Sequence, residues 1–355
     1  VRVGYELTAL DLDRTGSARA IERLREELAR TDGIELVPLR HDGRGGRVFR
    51  GLGRELGWLP VGLPRRARAL AVDLLHCPSP LAPPRAQVPV VVTVNDVMTF
   101  DRPEWFTKAN VIQQRLVLRA VLRNAARVIV PSRFSADRVA DVAGIPAERI
   151  AVIPYGVDAR FSPGEPDAAA LRRLGVERPY VLTVGALQPR KNIEGVLTAF
   201  ERLTTPHRLV VAGGRGWGDE GLVRRAEALG PRAVLTGHVE DDELVALYRG
   251  ADAFVFPSRY EGFGFPPLEA MACGTAVVAS DRTSVPEVVG DAALTVSPDD
   301  PAAVAAALER VLGDPAERER LRANGLERAR EFSWRRCAEA TAAVYADVHA
   351  VERAR

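Results

Sequence analysis

Apolar and polar positions along this chain follow two periods, and the period switches repeatedly. The opening run VRVGYEL predicts a short strand, after which Ala20, Ile21, Leu24 and Leu28 recur at helical spacing over residues 17–30. IELVPL, AVDLLHC, VPVVVTV and ARVIVPS predict further strands, and a helical pattern fills residues 109–124 between two of them. Their nearly unbroken Val, Ile and Leu runs fit a parallel sheet buried on both faces. IAVIPYGVD closes this half with a short strand and a turn.

Residues 159–179 break the alternation with Pro163, Gly164, Pro166 and Pro179, and read as a linker with one short helix. YVLTVG, RLVVAGG, AVLTGHV, AFVFPS and TAVVAS then predict strands. Helical patterns cover residues 193–203, 219–229, 241–249, a stretch from near Pro267, and residues 301–312, 315–331 and 335–352. The order predicts two doubly wound α/β domains, residues 1–160 and 176–334, with a final helix in residues 335–355. Open α/β sheets bind ligands beyond the carboxyl ends of their strands, so two such domains facing each other enclose a cleft. Chemistry is therefore expected in loops that directly follow strands.

Composition narrows the classes. The 355 residues are 46% hydrophobic and 27% charged, ordinary for a globular protein of about two domains. A net charge of +2 gives no field suited to nucleic acid. No apolar run approaches the roughly 18 residues of a membrane span. The acid-containing N-terminal stretch reads as a first strand and not as a signal peptide. Cys77, Cys273 and Cys337 have neither metal-ligand spacing nor a disulfide pattern, which predicts a reduced, cytoplasmic compartment. Only two of the 49 basic residues, Lys108 and Lys191, are lysines, which draws attention to both.

The densest local signal is EGFGFPPLEAMACGTAVVAS, residues 261–280, between a strand and a helix. Glu261 falls in the loop and Glu269 about one turn into the helix, so the pair can face one ligand. Carboxylates accept hydrogen bonds from vicinal hydroxyls, the groups that ribose and hexose present. Gly262 and Gly264 let backbone N–H groups approach closely, and a helix N-terminus favours a diphosphate. A second signal is VGALQPRKN, where Gly185 ends a strand and Arg190 and Lys191 follow in the loop. Fixed cations in a dry cleft stabilise negative charge that develops on a bound group. They also remove the need for a divalent metal, and no D-x-D triplet follows a strand to hold one.

Together, the strand, Pro-Ser, Glu-Gly-Phe-Gly, Pro and Leu-Glu-Ala resemble the E-x7-E signature of family-4 retaining glycosyltransferases of the group-1, mannosyltransferase-like kind. VIPYGVD, VVAGG, the stretch 235–258, SVPEVVGDAAL and FSWRRCAEAT continue the resemblance over residues 90–345. It implies an α/β GT-B fold, two doubly wound Rossmann-like domains across a cleft, with the final helix crossing back to the N-terminal domain. The N-terminal domain would take the acceptor and the C-terminal domain a nucleotide-sugar. Glu261 would hold sugar hydroxyls, Glu269 the ribose, and Arg190 and Lys191 the diphosphate. Backbone N–H groups of Gly262, Phe263, Gly264 and Phe265 would complete the sugar site. Gly185 and Gly213 would belong to the donor site, with Gly213 allowing close approach near the nucleotide; Val239 would meet the base through its backbone, and Gly16 would meet a phosphate.

Three positions depart from the family pattern. The usual glycine pair before the first helix is Gly16 and Ser17. The family's V-x-P-N-G-V-D has Tyr155 in place of Asn, and its T-V-H-D has Asn95 in place of His, followed by Asp96. The family's histidine contacts the donor sugar; Asn can donate and accept hydrogen bonds but carries no proton near neutral pH. Asn95 and Asp96 are the candidates on the acceptor and sugar side, and Asp96 equally fits a turn cap.

Residues 40–68 carry Arg40, Arg44, Arg47, Arg50, Arg54, Arg65, Arg66 and Arg68 among Val48, Leu52, Leu56, Trp58, Leu59 and Leu63. The stretch fits either a peripheral membrane contact or an ordinary helix packed on its sheet with arginines in water. The expected function is metal-independent, retaining hexosyl transfer from a nucleotide-sugar to a glycan or lipid-linked acceptor, with no cofactor. A GDP-sugar is the first donor expected from the T-V-x-D and P-E-W-F surroundings, and a UDP-hexose the second. A nucleotide-sugar epimerase of the same fold and a donor-binding protein with weakened catalysis are the alternatives. A phosphorylase would need a lysine-bound pyridoxal phosphate, and neither Lys108 nor Lys191 has that context.

Overall fold

Two parallel six-stranded sheets organise the chain, each built by one of the two alternating halves. The structure is a computed structural model that describes residues 1–11, 16–41, 54–214 and 220–354. The chain divides into a first unit, Val1–Gly156 with Ser333–Arg355, and a second, Val157–Phe332.

The first sheet comprises β1 (Arg2–Glu6), β2 (Glu35–Leu39), β3 (Leu74–Cys77), β4 (Val90–Thr93), β5 (Arg127–Val130) and β6 (Ile150–Val152) in the order β2-β1-β3-β4-β5-β6. Successive side chains alternate between faces. Thus Val90 and Val92 join one core with Leu118, Val121 and Leu122 of α3 (Lys108–Asn124) and Leu63 and Ala67 of α2 (Leu63–Ala69). The other face is covered by α1 (Gly16–Leu28), whose Ala20, Ile21, Leu24 and Leu28 are buried. The last helix of the chain, Trp334–Arg353, also belongs to this unit and packs on α1, β3 and β5. There Tyr345 and Thr93 hold the two ring nitrogens of the buried His76, Nδ1 at 2.5 Å and Nε2 at 2.8 Å. Burial lowers the His76 pKa to about 3, so the ring stays neutral at physiological pH.

A helix missing from the sequence reading, α4 (Arg133–Ala143), lies between β5 and β6. Ser132 caps its start and Gly144, at φ +63°, ends it. Its buried face is Ser135, Val139 and Ala143, so a serine and an alanine weaken the apolar period that would announce it. Within residues 40–68, positions 42–53, with Arg44, Arg47, Val48, Arg50 and Leu52, lie outside the described residues, as do the side chains of Arg54 and Leu56. In the described part a π-helical turn, Arg54–Gly62, runs into α2. Leu59, Leu63 and Ala67 face the core, Trp58 stacks on His41 at 5.6 Å, and Arg65, Arg66 and Arg68 are exposed.

The second sheet comprises β7 (Tyr180–Val184), β8 (Arg208–Ala212), β9 (Ala233–Gly237), β10 (Ala253–Phe256), β11 (Val277–Ser280) and β12 (Leu294–Val296), ordered β12-β11-β10-β7-β8-β9. Val181, Leu209, Val211, Val255 and Val278 share one core with α6 (Ile193–Glu201), through Ile193, Val196, Leu197 and Phe200. The segment 159–179 contains α5 (Ala168–Arg173) and belongs to this unit. Phe161 meets Tyr248 at 5.9 Å, and the Arg249 guanidinium donates to the Ser162 carbonyl at 2.8 Å. Edge strand β12 and the short helix before it, Val285–Val289, were not predicted; three- and five-residue elements are too short to show a period.

In this sheet the strand order reverses between β7 and β10, since β8 and β9 lie to one side and β11 and β12 to the other. The loops after β7 and β10 therefore diverge from adjacent strand ends. That is the crevice where open α/β sheets hold ligands.

Candidate active site

The loop after β7 brings Arg190 and Lys191 to this crevice on a single turn, Pro189–Lys191. Asn192 ends the turn in the left-handed region at φ +55°, a conformation asparagine tolerates better than most residues. Its side-chain amide donates to the Pro257 carbonyl at 3.1 Å and the Pro298 carbonyl at 2.7 Å, tying the turn to the loops after β10 and β12. Gly185 gives Lys191 its room, because a Cβ there would lie 3.0 Å from Lys191 Cδ. A Cβ on Gly213 would lie 2.1 Å from the Gly185 oxygen. The two glycines thus meet backbone to backbone at the ends of β7 and β8. Their N–H groups donate to the Ala212 and Gly237 carbonyls, so both serve strand packing here.

Glu261 is the hub of the site. Arg190 Nη1 donates to both carboxylate oxygens at 3.0 Å, Lys191 Nζ to Oε1 at 2.7 Å and the Ser258 hydroxyl to Oε1 at 2.7 Å. Oε1 thus receives three donors and Oε2 one, which leaves Oε2 the spare accepting capacity among the described residues. Lys191 is 7% exposed and Glu261 9%. Burial, and then the neighbouring Arg190 charge, lower Lys191 to about 8 against the pull of Glu261. Burial alone would raise the Glu261 carboxyl, but the Lys191 and Arg190 charges outweigh it and hold the carboxyl below its ordinary range. Two cations and one anion leave the cluster with a net positive charge. The cations are in place before any ligand arrives, the condition under which they stabilise developing negative charge most.

The loop that follows is pinned from behind. The Ser284 hydroxyl lies 2.9 Å from the backbone carbonyl oxygen of Glu261 and 2.6 Å from that of Phe263, and the Glu261 N–H donates to Thr283 Oγ1 at 3.1 Å. Thr283 itself sits at φ +56°, a strained conformation for a β-branched residue. Gly264, at φ +137°, precedes α7 (Phe265–Ala272), which starts two residues before the predicted Pro267. Pro266 and Pro267 occupy its first turn and lack N–H groups, so the helix start offers fewer donors than usual. The Phe263 ring is buried against Phe265 at 5.1 Å and Phe332 at 5.9 Å. Glu269 does not join the Glu261 cluster by hydrogen bond. It is 4% exposed, Tyr248 donates to its Oε2 at 3.1 Å, and its charge acts on Lys191 at longer range. Val239 is half-buried just beyond β9, the edge strand two places from β7.

In the first unit, Gly16 opens α1 directly after residues 12–15, which lie outside the described residues. Asn95 and Asp96 follow β4. Asn95 Nδ2 donates to Ser17 Oγ at 3.0 Å, and the Tyr155 hydroxyl donates to Asn95 Oδ1 at 2.5 Å. Asp96 Oδ1 accepts from the Met98 N–H at 3.0 Å, just ahead of the helical turn Met98–Asp101. Asp96 also lines a largely apolar cavity of about 710 Å³ with Leu59, Met98, Phe106, Leu118 and Val121. Asn192, Ser258, Thr283 and Ser284 were missed in the sequence. The only signal for them was adjacency to the Arg-Lys pair and to the Pro-Ser and Ser-Val-Pro-Glu segments.

Comparison with known proteins gives two family matches. Residues 171–328 match the family described as "Glycosyl transferases group 1", and residues 14–161 match "Glycosyltransferase Family 4". The chain is 36% identical over 282 residues to the O-antigen chain mannosyltransferase B of Escherichia coli, covering 77% of this chain and 74% of that one. A longer E. coli serotype-specific mannosyltransferase is 34% identical over 227 residues, which are 61% of this chain and 28% of that protein. Among solved structures, sucrose-phosphate synthase from Thermosynechococcus elongatus superposes with a TM-score of 0.80 at 23% identity over 99% of both chains. An Anabaena protein in complex with UDP-glucose superposes at 0.77, with 20% identity over 98% of this chain and 99% of that one. These neighbours show the GT-B fold.

Proposed function

This chain belongs to the group 1, family-4 glycosyltransferases, and from that premise we propose that it transfers a hexosyl group from a nucleoside-diphosphate sugar with retention at the anomeric carbon and without a metal. The observation that carries this reading is the Arg190–Lys191–Glu261 cluster at the β7/β10 crevice, with Lys191 and Glu261 buried. Arg190 and Lys191 take the charge of the departing diphosphate, and the spare oxygen of Glu261 accepts from a sugar hydroxyl. Glu269, after release from Tyr248, holds the ribose. The acceptor hydroxyl attacks the anomeric carbon on the face the diphosphate leaves. The new C–O bond forms as the old one breaks, and a phosphate oxygen takes the acceptor proton. The mannosyltransferase relatives favour GDP-mannose as donor, with a UDP-hexose second. A glycan or lipid-linked sugar at the cytoplasmic face of a membrane is the acceptor; among the described residues no helix is long and apolar enough to cross one.

Asn95, where the family has histidine, favours a second reading, donor binding with weakened turnover. Calorimetric titration with GDP, UDP, ADP and TDP, first without metal and then with magnesium, tests both. One nucleotide is expected to bind without metal, and binding to fall in Arg190→Ala and Glu269→Ala. Absence of binding by every nucleotide overturns the transferase reading. Binding with no turnover across a wide acceptor panel selects the second.

A further inference from the structure

The three departures from the family pattern, Ser17, Asn95 and Tyr155, are far apart in sequence yet occupy one hydrogen-bond chain. Asn95 and Tyr155 stand just beyond the carboxyl ends of β4 and β6, and Ser17 lies on the first turn of α1, the helix that follows β1. Tyr155 is 6% exposed, its ring packed against Trp334 at 5.7 Å, and its phenol is pushed far up by burial. It therefore donates a proton it does not lose. Asn95 is further held by its backbone oxygen, which accepts from the Ser135 hydroxyl at 2.8 Å.

Ser17 adds a hydroxyl where a second glycine would offer none. With Oδ1 taken by Tyr155 and one amide hydrogen by Ser17, the second Nδ2 hydrogen of Asn95 has no partner among the described residues.

Resting on the transferase reading, we propose that Tyr155 and Ser17 position Asn95 so that its remaining amide N–H serves as a fixed, uncharged donor to an oxygen of the sugar or acceptor, in place of a titrating histidine. Asn95 touches substrate; Tyr155 and Ser17 are positioning residues. The three positions are one coupled unit, and single reversions toward the family pattern break it.

The test uses the full chain and initial rates of transfer, or of donor hydrolysis, with the nucleotide-sugar chosen by titration. Tyr155→Phe is expected to lower kcat about tenfold, the cost of releasing one neutral hydrogen bond, with nucleotide affinity unchanged. Asn95→His alone loses more. Asn95→His combined with Tyr155→Asn regains at least part of that loss and acquires an acid-side limb near pH 6.5 that the wild type lacks. Rates for the double variant equal to the product of the singles, or a histidine-like limb already present in the wild type, overturn the proposal. Coupling is also read without turnover, from a thermal-unfolding double-mutant cycle on Tyr155→Phe and Asn95→Ala. Additive shifts there overturn the coupled unit even if the chain is a transferase, whereas failure to bind any nucleotide condemns the transferase reading and with it the assigned role of the amide.

Discussion

In the second unit, three charged side chains hold one another beyond β7 and β10, Lys191 and Glu261 buried and Arg190 half-buried, with Glu261 accepting from both cations. In the first unit, the corresponding strand ends carry a chain of neutral groups, Tyr155 to Asn95 to Ser17. The charged cluster can hold a diphosphate and titrates within reach of working pH, through Lys191 at about 8. The neutral chain has no group that changes charge between pH 5 and 8. On the proposed reading, charge serves the step in which charge develops, and neutral hydrogen bonds serve the step in which only direction matters.

The contrast breaks first at Lys191. Lys191→Met removes a buried cation while leaving Arg190 and Ser258 on Glu261. Transfer is expected to fall about 10²–10³-fold, the usual effect of deleting one donor from such a site, and steady-state rates on the chosen donor check it. A smaller effect sharpens it. In the free protein Lys191 loses its proton as pH rises through about 8, whereas a bound diphosphate keeps the proton on. Binding then takes up a proton, so nucleotide affinity is flat below pH 8 and falls by up to about tenfold per unit above it. Calorimetry across pH 6.5–10 in buffers of different ionisation enthalpy reads both the affinity and the proton. Smallest is Tyr345→Phe, which takes one partner from His76. It is expected to cost about 1 kcal/mol of stability in denaturant unfolding, with nucleotide affinity unchanged. Weaker nucleotide binding in that variant would mean that the two regions are not separable.

Both sheets were legible because their strands are continuous apolar runs, and Val90–Thr93, Ala253–Phe256 and Val277–Ser280 are buried throughout. Glu261, Arg190 and Lys191 were legible because they follow such strands within short spacings. Their mutual pairing was not, since position 190 and position 261 belong to loops whose meeting depends on the β7/β10 adjacency. The same holds for Gly185 and Gly213, whose close backbone approach depends on β7 and β8 lying side by side. Ser17, Asn95 and Tyr155 were each noticed as departures, yet that they touch is tertiary information carried by no local pattern. Helix α4 went unread because its buried face uses Ser135 and Ala143 in place of larger apolar residues.

The first unit is made from two separated stretches of chain, whereas the second is one uninterrupted stretch. A ribosome releases the chain from the N-terminus, so all of Val157–Phe332 emerges before the helix that brings Cys337, Thr341 and Tyr345 to the first sheet. The inserted unit can complete its core while synthesis is still under way. The flanking unit cannot, because His76 waits for a phenol made 269 positions later. Order of synthesis and order of completion are thus inverted, and the half of the protein that is started first is the half that is finished last.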